Sequence, residues 1–303
     1  MEKKYLTTKE LAELLDINEK MVYQLINEKG LPACKITGKW LFPKHLVDIW
    51  IENHVINRPL PSQGILSSMI IIIGSHDPLL EAVISFYNKN YPEHPVVYSP
   101  SGSMFGIRAL KKGLCHIATA HLIHEDEKEY NFDYLKEYFE EHEVPAVINF
   151  CFREQGIIVQ KGNPKGIKDI PSLVEKGATI ANRAKGTGTR LLLDHELKKA
   201  GIDPHELKGY ENEFSSHMEV ALEVLSGRAD AGIGIRAVAS MLGLDFIPLR
   251  WERYDLLIPK PFFFEKNIQR LLGILQDKEF KRIVQRFDGY NIENSGRILF
   301  PRD

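Results

Sequence analysis

A chain of 303 residues that is 44% hydrophobic and 26% charged can bury one large core or two medium ones, which excludes a disordered protein. The formal net charge of -2 excludes a surface coated in basic residues, so any nucleic-acid contact has to come from a local patch. The first ten residues are already charged and polar, so no signal peptide is visible and a cytoplasmic protein is expected; Cys34, Cys115 and Cys151, an odd count without CxxC spacing, suit a reducing compartment.

Thr7 to Glu10 has the Ser/Thr-x-x-Glu form of a capping box, and Leu11, Leu14 and Leu15 follow at helical spacing, which predicts a helix ending near Leu15. Asp16 and Ile17 break it. Asn18 then caps a second helix that turns Val22, Leu25 and Ile26 inward and stops at Gly30. Two short helices joined by a turn of about three residues form a helix-turn-helix pattern. Residues 33–42 read as two strands around Thr37-Gly38-Lys39, a wing, and a third helix follows Pro43 with Leu46, Val47 and Trp50 at core spacing.

The segment from Thr7 through LPACKITGKWLFPKHLVDIWI resembles the excisionase and MerR-like winged helix-turn-helix family. That resemblance implies a partner, double-stranded DNA, for residues 1–55. Charge gives a separate check. Residues 1–55 hold eight Lys and eight Asp or Glu, yet residues 20–44 hold Lys20, Lys29, Lys35, Lys39 and Lys44 against Glu28 alone. Lys20, Tyr23, Gln24 and Asn27 are the expected outward residues of the recognition helix, and Lys35 and Lys39 the backbone contacts of the wing. A solvated face in a protein–protein module is the alternative. A single small winged domain makes few contacts, so a homodimer on paired half-sites is expected.

Residues 53–64, with two prolines, a glycine and no apolar periodicity, mark a linker, placed at 56–66. Beyond it short apolar strands alternate with amphipathic helices, an α/β pattern with parallel strands. The apolar run 69–73 is too short to span a bilayer and reads as a buried strand, so no membrane partner is expected.

Three strand-to-helix junctions share one chemistry. Strand 69–73 leads through Gly74-Ser75-His76-Asp77 to Pro78; strand 95–99 leads through Ser101-Gly102-Ser103; strand 178–182 leads through Arg183 into Gly186-Thr187-Gly188-Thr189-Arg190. Helix starts offer free N–H groups and a favourable dipole to anions, and hydroxyls add donors. Together the three could surround one tetrahedral oxyanion, with Ser75, Ser103, Thr187 and Thr189 as donors and Arg183 or Arg190 as charge. Each has a plainer alternative: Ser and Thr are ordinary caps, Asp77 before Pro78 suits an N-cap, and Arg190 suits pairing with Asp194.

No Walker A or GxGxxG sequence occurs. Ser75, His76 and Asp77 are adjacent and cannot form a nucleophile–base–orienter chain, and His121 with His124 beside an acidic run reads as a solvated face rather than a metal site. Neither catalysis, a metal nor a bound cofactor is therefore expected. An enzyme using the same cleft would need a perturbed acid–base pair. An internal echo, ALKKGLCHIATA and EVLSGRADAGIG, implies two similar lobes.

The ordered pieces GSHDPLL, SGSMFGIRALKKG, ATAHL, GIIVQKGNPKGI, NRAKGTGTRLLLDHEL, SGRADAGIGI, ERYDLLIP and FDGYNIENSGRILF resemble the periplasmic-binding-protein fold, within it the molybdate-binding-like group. The resemblance implies an α/β protein in which a winged helix-turn-helix precedes a two-lobed, type II binding domain at 67–303. Lobe 1 is placed at about 67–148 and 252–303 and lobe 2 at about 149–250, joined by crossovers near 148–152 and 247–251. It further implies a transcription regulator sensing a small oxyanion, molybdate or tungstate favoured, with an organic acid as the alternative. On this reading Ser101, His121, Gly188, His217 and Tyr254 join the cleft residues, with structural histidines and a core tyrosine as the plainer alternatives.

Overall fold

A computed structural model describes residues 4–36, 38–54, 69–123 and 130–300, except the side chains of residues 52 and 53. The chain divides into two compact units, Met1–Gly64 and Ile65–Asp303. The linker, Thr37 and His124 lie outside the described residues.

In the first unit β1 (Tyr5–Thr7) leads into α1 (Thr8–Leu15), α2 (Glu19–Lys29), β2 (Cys34–Ile36), β3 (Lys39–Pro43) and α3 (Lys44–Asn53). Thr7 and Glu10 form the expected reciprocal capping box, Asn18 accepts from the Met21 amide, and Gly30 ends α2 at φ 64° in the left-handed region. Strand β1 was not expected; it pairs with β3, which makes the wing a three-stranded antiparallel sheet in the order β1-β3-β2. Leu6, Leu11, Ala12, Val22, Leu31, Phe42 and Val47 form its core. Leu46, expected inward, is exposed, because Val47 and Trp50 already fill the inner face of α3; the Trp50 indole N–H donates to Lys29 O at 2.9 Å.

The second unit opens with β4 (Ile70–Gly74), α4 (Pro78–Asn90), β5 (Val96–Pro100), α5 (Ser103–Lys111), β6 (Ile117–Ala120) and α6 (Phe132–Tyr138). It continues through β7 (Ala146–Val159), α7 (Ile170–Glu175), β8 (Ile180–Arg183), α8 (Gly188–Ala200), β9 (Glu213–Phe214), α9 (His217–Leu225), β10 (Ala231–Ile235), α10 (Arg236–Met241) and β11 (Asp245–Ile258). Helices α11 (Lys260–Phe263), α12 (Lys266–Ile274) and α13 (Lys278–Val284) and strands β12 (Tyr290–Asn291) and β13 (Ile298–Phe300) complete it.

Its ten-stranded sheet runs β5-β4-β6-β11-β7-β10-β8-β9, with β12 and β13 added on β7. Strands β4, β5 and β6 pair parallel, as do β8, β9 and β10. Between these two blocks lie β7 and β11, antiparallel to each other along nearly their whole length. Alternation within strand β4 sends Ile70 and Ile72 to one core and Ile71 and Ile73 to another, so the first block is covered on both faces. Two further cores cover the second block. Each block thus has its own two-faced core, the two-lobed arrangement that the repeat implied.

Strands β7 and β11 are fourteen residues each and run through both blocks. Ile148, Phe150 and Cys151 still pack in the core of the first block, whereas Ile157, Ile158 and Val159 pack in the cores of the second. The passage between lobes therefore falls around residues 152–156, later than the expected crossover at 148–152, because the long strand completes the first core before it leaves it.

Candidate functional site

Arg153 and Gln155 occupy this passage. They stand two apart on β7, hence on one face, and both are fully buried. Glu252 faces Arg153 directly in the β7–β11 register. The Arg153 Nε donates to Glu252 at 2.5 Å, and its Nη1 donates to the Asp77 carboxylate at 2.9 Å and to His76 O at 2.8 Å. The guanidinium also lies 4.4 Å from the Tyr254 ring centroid.

The network spreads to both lobes. The other Glu252 oxygen contacts His121 Nδ1 at 2.7 Å and accepts from Gln155 Nε2 at 2.5 Å; that amide also reaches Thr189 Oγ1 at 3.0 Å. Tyr290 donates to Asp77 at 2.9 Å. Burial works against an ionised Glu252, but Arg153 and His121 outweigh it and hold the carboxyl down at about 2. Asp77 is the expected N-cap of α4, accepting from Leu80 N at 2.9 Å, and in addition a counter-ion for Arg153.

Among the described residues several buried polar atoms in this region have no protein partner, including Arg153 Nη2, Arg183 Nε and both ring nitrogens of His217. The Arg183 Nη1 reaches Phe214 O at 3.3 Å. Burial and then the neighbouring Arg153 charge push the Arg183 guanidinium down to about 10, the mark of a cation short of counter-charge. His217 is wholly buried at the first position of α9; burial, then Arg183, Arg153, His76 and His121 in that order, hold its imidazole well below its ordinary value. The same charges converge on His121, where burial again comes first and lowers the ring in spite of Glu252. His76 and His217 have ring centroids 6.1 Å apart.

The three junctions meet here, but unequally. Ser75 is buried, its amide already donates to Thr119 O at 3.0 Å, and α4 is closed by Asp77, so this junction offers less to an anion than expected. The start of α5 carries no side-chain cap: Gly102 precedes it at φ 89°, and Ser103 is buried with its hydroxyl accepting from His121 N at 3.3 Å. At α8 Thr187 is the cap, its hydroxyl donating to Ala184 O at 2.8 Å. Gly188 packs on His121: a Cβ at Gly188 would lie 2.5 Å from the imidazole and 2.6 Å from His121 O. Gly102 faces Thr187 similarly, at 3.5 Å. The lobes touch across small residues, and the cleft is closed.

Two expectations change. Arg190 does not bring charge to the cleft: its Nε pairs with Asp194 and its Nη1 with Glu213, each at 3.1 Å, while the plane stacks 4.0 Å from the Tyr210 centroid. The i,i+4 partner one helical turn away, with Tyr210 beside it, captures the guanidinium. Tyr254 does not reach toward a ligand with its hydroxyl, which donates to Ser75 O at 2.5 Å; Tyr98 and Thr119 donate to the same carbonyl. The charge expected of Arg190 is held instead by Arg153, whose signal in the sequence is the polar triplet Arg153-Glu154-Gln155 between the apolar runs 150–152 and 157–159. Ser101 is exposed, bonded to the Ser99 hydroxyl at 2.8 Å, and lines a cavity of 460 Å³ between the lobes, with Met104, Phe105, Lys185, Gly186 and Ser215 also on its wall.

In the first unit Lys20, Tyr23, Gln24, Asn27, Lys35 and Lys39 are all exposed. Lys35 sits on the wing hairpin opposite Trp40, its ammonium 5.5 Å from that ring's centroid. Among the described residues no group of acidic, histidine and cysteine side chains could hold a metal ion, and no helix is long and apolar enough to cross a membrane.

Residues 5–55 match a family model described as a helix-turn-helix domain, and residues 84–276 match the PBP superfamily domain. The uncharacterized protein YvgK of Bacillus subtilis (strain 168) is 29% identical over 302 residues, 97% of each chain. Among solved structures, a phosphate transporter substrate-binding protein from Clostridium perfringens with bound phosphate aligns at a TM-score of 0.54 and 14% identity, over 72% of this chain and 97% of that one. The tungstate ABC transporter protein of Geobacter sulfurreducens aligns at 0.52 and 15%, over 72% and 98%. At such identities the likeness is one of fold.

Proposed function

The chain belongs to the PBP superfamily, with a helix-turn-helix domain ahead of the binding domain, and we propose that it is a DNA-binding transcription regulator whose effector is a small oxyanion held in the closed cleft. One observation carries the reading: Arg153 Nη2 and Arg183 Nε are buried donors without partners, and the buried His217 ring beside them has neither nitrogen bonded. A buried unpaired polar group costs about 1–3 kcal/mol, more when charged, so a site keeping several is built for a ligand that accepts hydrogen bonds. Molybdate, tungstate, sulfate and hydrogen phosphate share that chemistry. Both matched domains are of binding kinds, and no catalytic step is part of this reading.

The output runs through Lys20, Tyr23, Gln24 and Asn27 of α2 and Lys35 and Lys39 of the wing, acting as a homodimer on paired half-sites. Effector binding changes DNA affinity to the extent that the anion binds the DNA-competent and incompetent states differently. The 460 Å³ cavity at the edge of the cleft favours a second reading, an organic acid whose body extends past Ser101 and Phe105.

Thermal unfolding with molybdate, tungstate, sulfate or phosphate tests the proposal. An effector at a hundred times its Kd stabilises by about 2.7 kcal/mol, roughly 5–10 °C for a domain of this size. A null result with all four, and a shift with small carboxylates instead, moves the assignment to the second reading. A mobility shift on DNA that is the same with and without the stabilising anion overturns regulation by it.

A further inference from the structure

We infer that His217 is a specificity-determining residue that reads the protonation state of the bound oxyanion, taking up a proton from solvent when the anion is fully ionised and accepting one from the anion's own hydroxyl when it is not. This rests on the oxyanion reading above and adds to it a rule of discrimination.

The starting point is the set of groups with nothing to bond. Arg153 Nη2 and Arg183 Nε can only donate. His217 differs: a neutral imidazole offers one donor and one acceptor, and both of its ring nitrogens are buried and unpartnered. Beside a fully ionised oxyanion, which only accepts, the bare nitrogen would stay an unpaired buried acceptor pointing at negative charge. Adding a proton turns it into a second donor and supplies a positive charge at the same time. Beside hydrogen phosphate the bare nitrogen accepts the phosphate's O–H, and no proton need enter.

Among the described residues two neighbouring imidazoles keep a bare buried nitrogen, His76 at Nδ1 and His217 at both positions; His76 Nε2 lies 3.5 Å from Glu81, which leaves His217 as the ring with both nitrogens uncommitted. The carboxylates near the cleft are committed: Asp77 holds Arg153, the Tyr290 hydroxyl and the start of α4, and Glu252 holds Arg153, His121 and Gln155. They cannot accept a proton from an anion without breaking the buried ion pair. Glu219, in the same first turn of α9, is tied to Ser215 and Ser216. The charged or titratable groups acting on His217 from the other elements are Arg183 on β8, Arg153 on β7, His76 before α4 and His121 after β6. All four disfavour its protonation in the empty cleft, and burial does so most. An oxyanion among the two arginines reverses that balance, because its charge offsets theirs at short range in a dry site.

Calorimetric titration of the full chain near neutral pH, in two buffers of different ionisation enthalpy, counts the protons taken up. With molybdate, tungstate or sulfate the expected uptake is about one proton more than with phosphate, and affinity for the fully ionised anion falls about tenfold per pH unit as pH rises. His217→Gln keeps a donor and an acceptor but cannot be charged; it should bind the fully ionised anion more weakly and lose the pH slope, with the fold checked by circular dichroism. Equal uptake for the two kinds of anion, or a slope that survives in His217→Gln, overturns the inference. Failure of all four anions to bind is a different result, which removes the oxyanion reading and this inference with it.

Discussion

Gly188, at the start of α8 in one lobe, lies against His121 of the other so closely that a Cβ on it would sit 2.5 Å from the imidazole. The contact is a stop that only glycine permits at this separation. Gly188→Ala should hold the lobes apart: each lobe keeps its own core, so unfolding by denaturant changes little, while the thermal shift given by the effector anion shrinks or disappears. A variant that still responds to the anion as the parent does would show that closure does not need this contact.

The Arg153–Glu252 pair sits between the lobes with both side chains buried. Replacing one partner in such a pair leaves the other charge uncompensated, so Glu252→Gln should destabilise by about 3–5 kcal/mol in urea unfolding. Because Glu252 is held at about 2, below its ordinary 4.5, its contribution is fully present above pH 4.5 and is lost as pH falls toward 2. The parent should show that acid loss and Glu252→Gln should not.

His121 and His217 shift in the same direction, downward from 6.5, with burial as the first cause. Below pH 6.5 the unfolded chain binds protons that the folded, ligand-free protein does not, so stability is lost as pH falls, by up to about 1.4 kcal/mol per pH unit for each histidine. Melting temperature followed from pH 8 to 5 should fall in the ligand-free protein, and saturating molybdate or sulfate should reduce the fall. A flat profile without ligand would show that the two rings charge freely in place.

On the first unit, Lys35→Ala and Lys39→Ala should weaken binding to all DNA sequences alike and each lower the salt dependence by about one counterion. Gln24→Ala should cost about 1–3 kcal/mol on the preferred site and little on unrelated DNA. Fluorescence anisotropy at several salt concentrations separates the two. Loss at Lys39 confined to one sequence would contradict a backbone role for the wing.

How much could be read in advance follows from distance along the chain. The caps at Thr7, Asn18, Asp77 and Thr187, the stop at Gly30 and the strand-to-helix junctions depend on residues within about one turn of each other, and local chemistry decides them. The same locality explains the ordinary fate of Arg190, whose partner Asp194 lies four residues on. Strand β1 escaped notice because three residues carry too little periodicity; pairing with β3 makes it a strand. Composition and pattern in the sequence by itself thus determined a small wing-bearing helical unit, a larger α/β unit and the positions of its strand-to-helix junctions. Only the tertiary structure decided which charges reach the cleft. Arg153 and Glu252 are 99 residues apart and face each other solely through the β7–β11 register, and the polar atoms left over at Arg153, Arg183 and His217 exist because burial removes water while that register commits Glu252 to Arg153, His121 and Gln155.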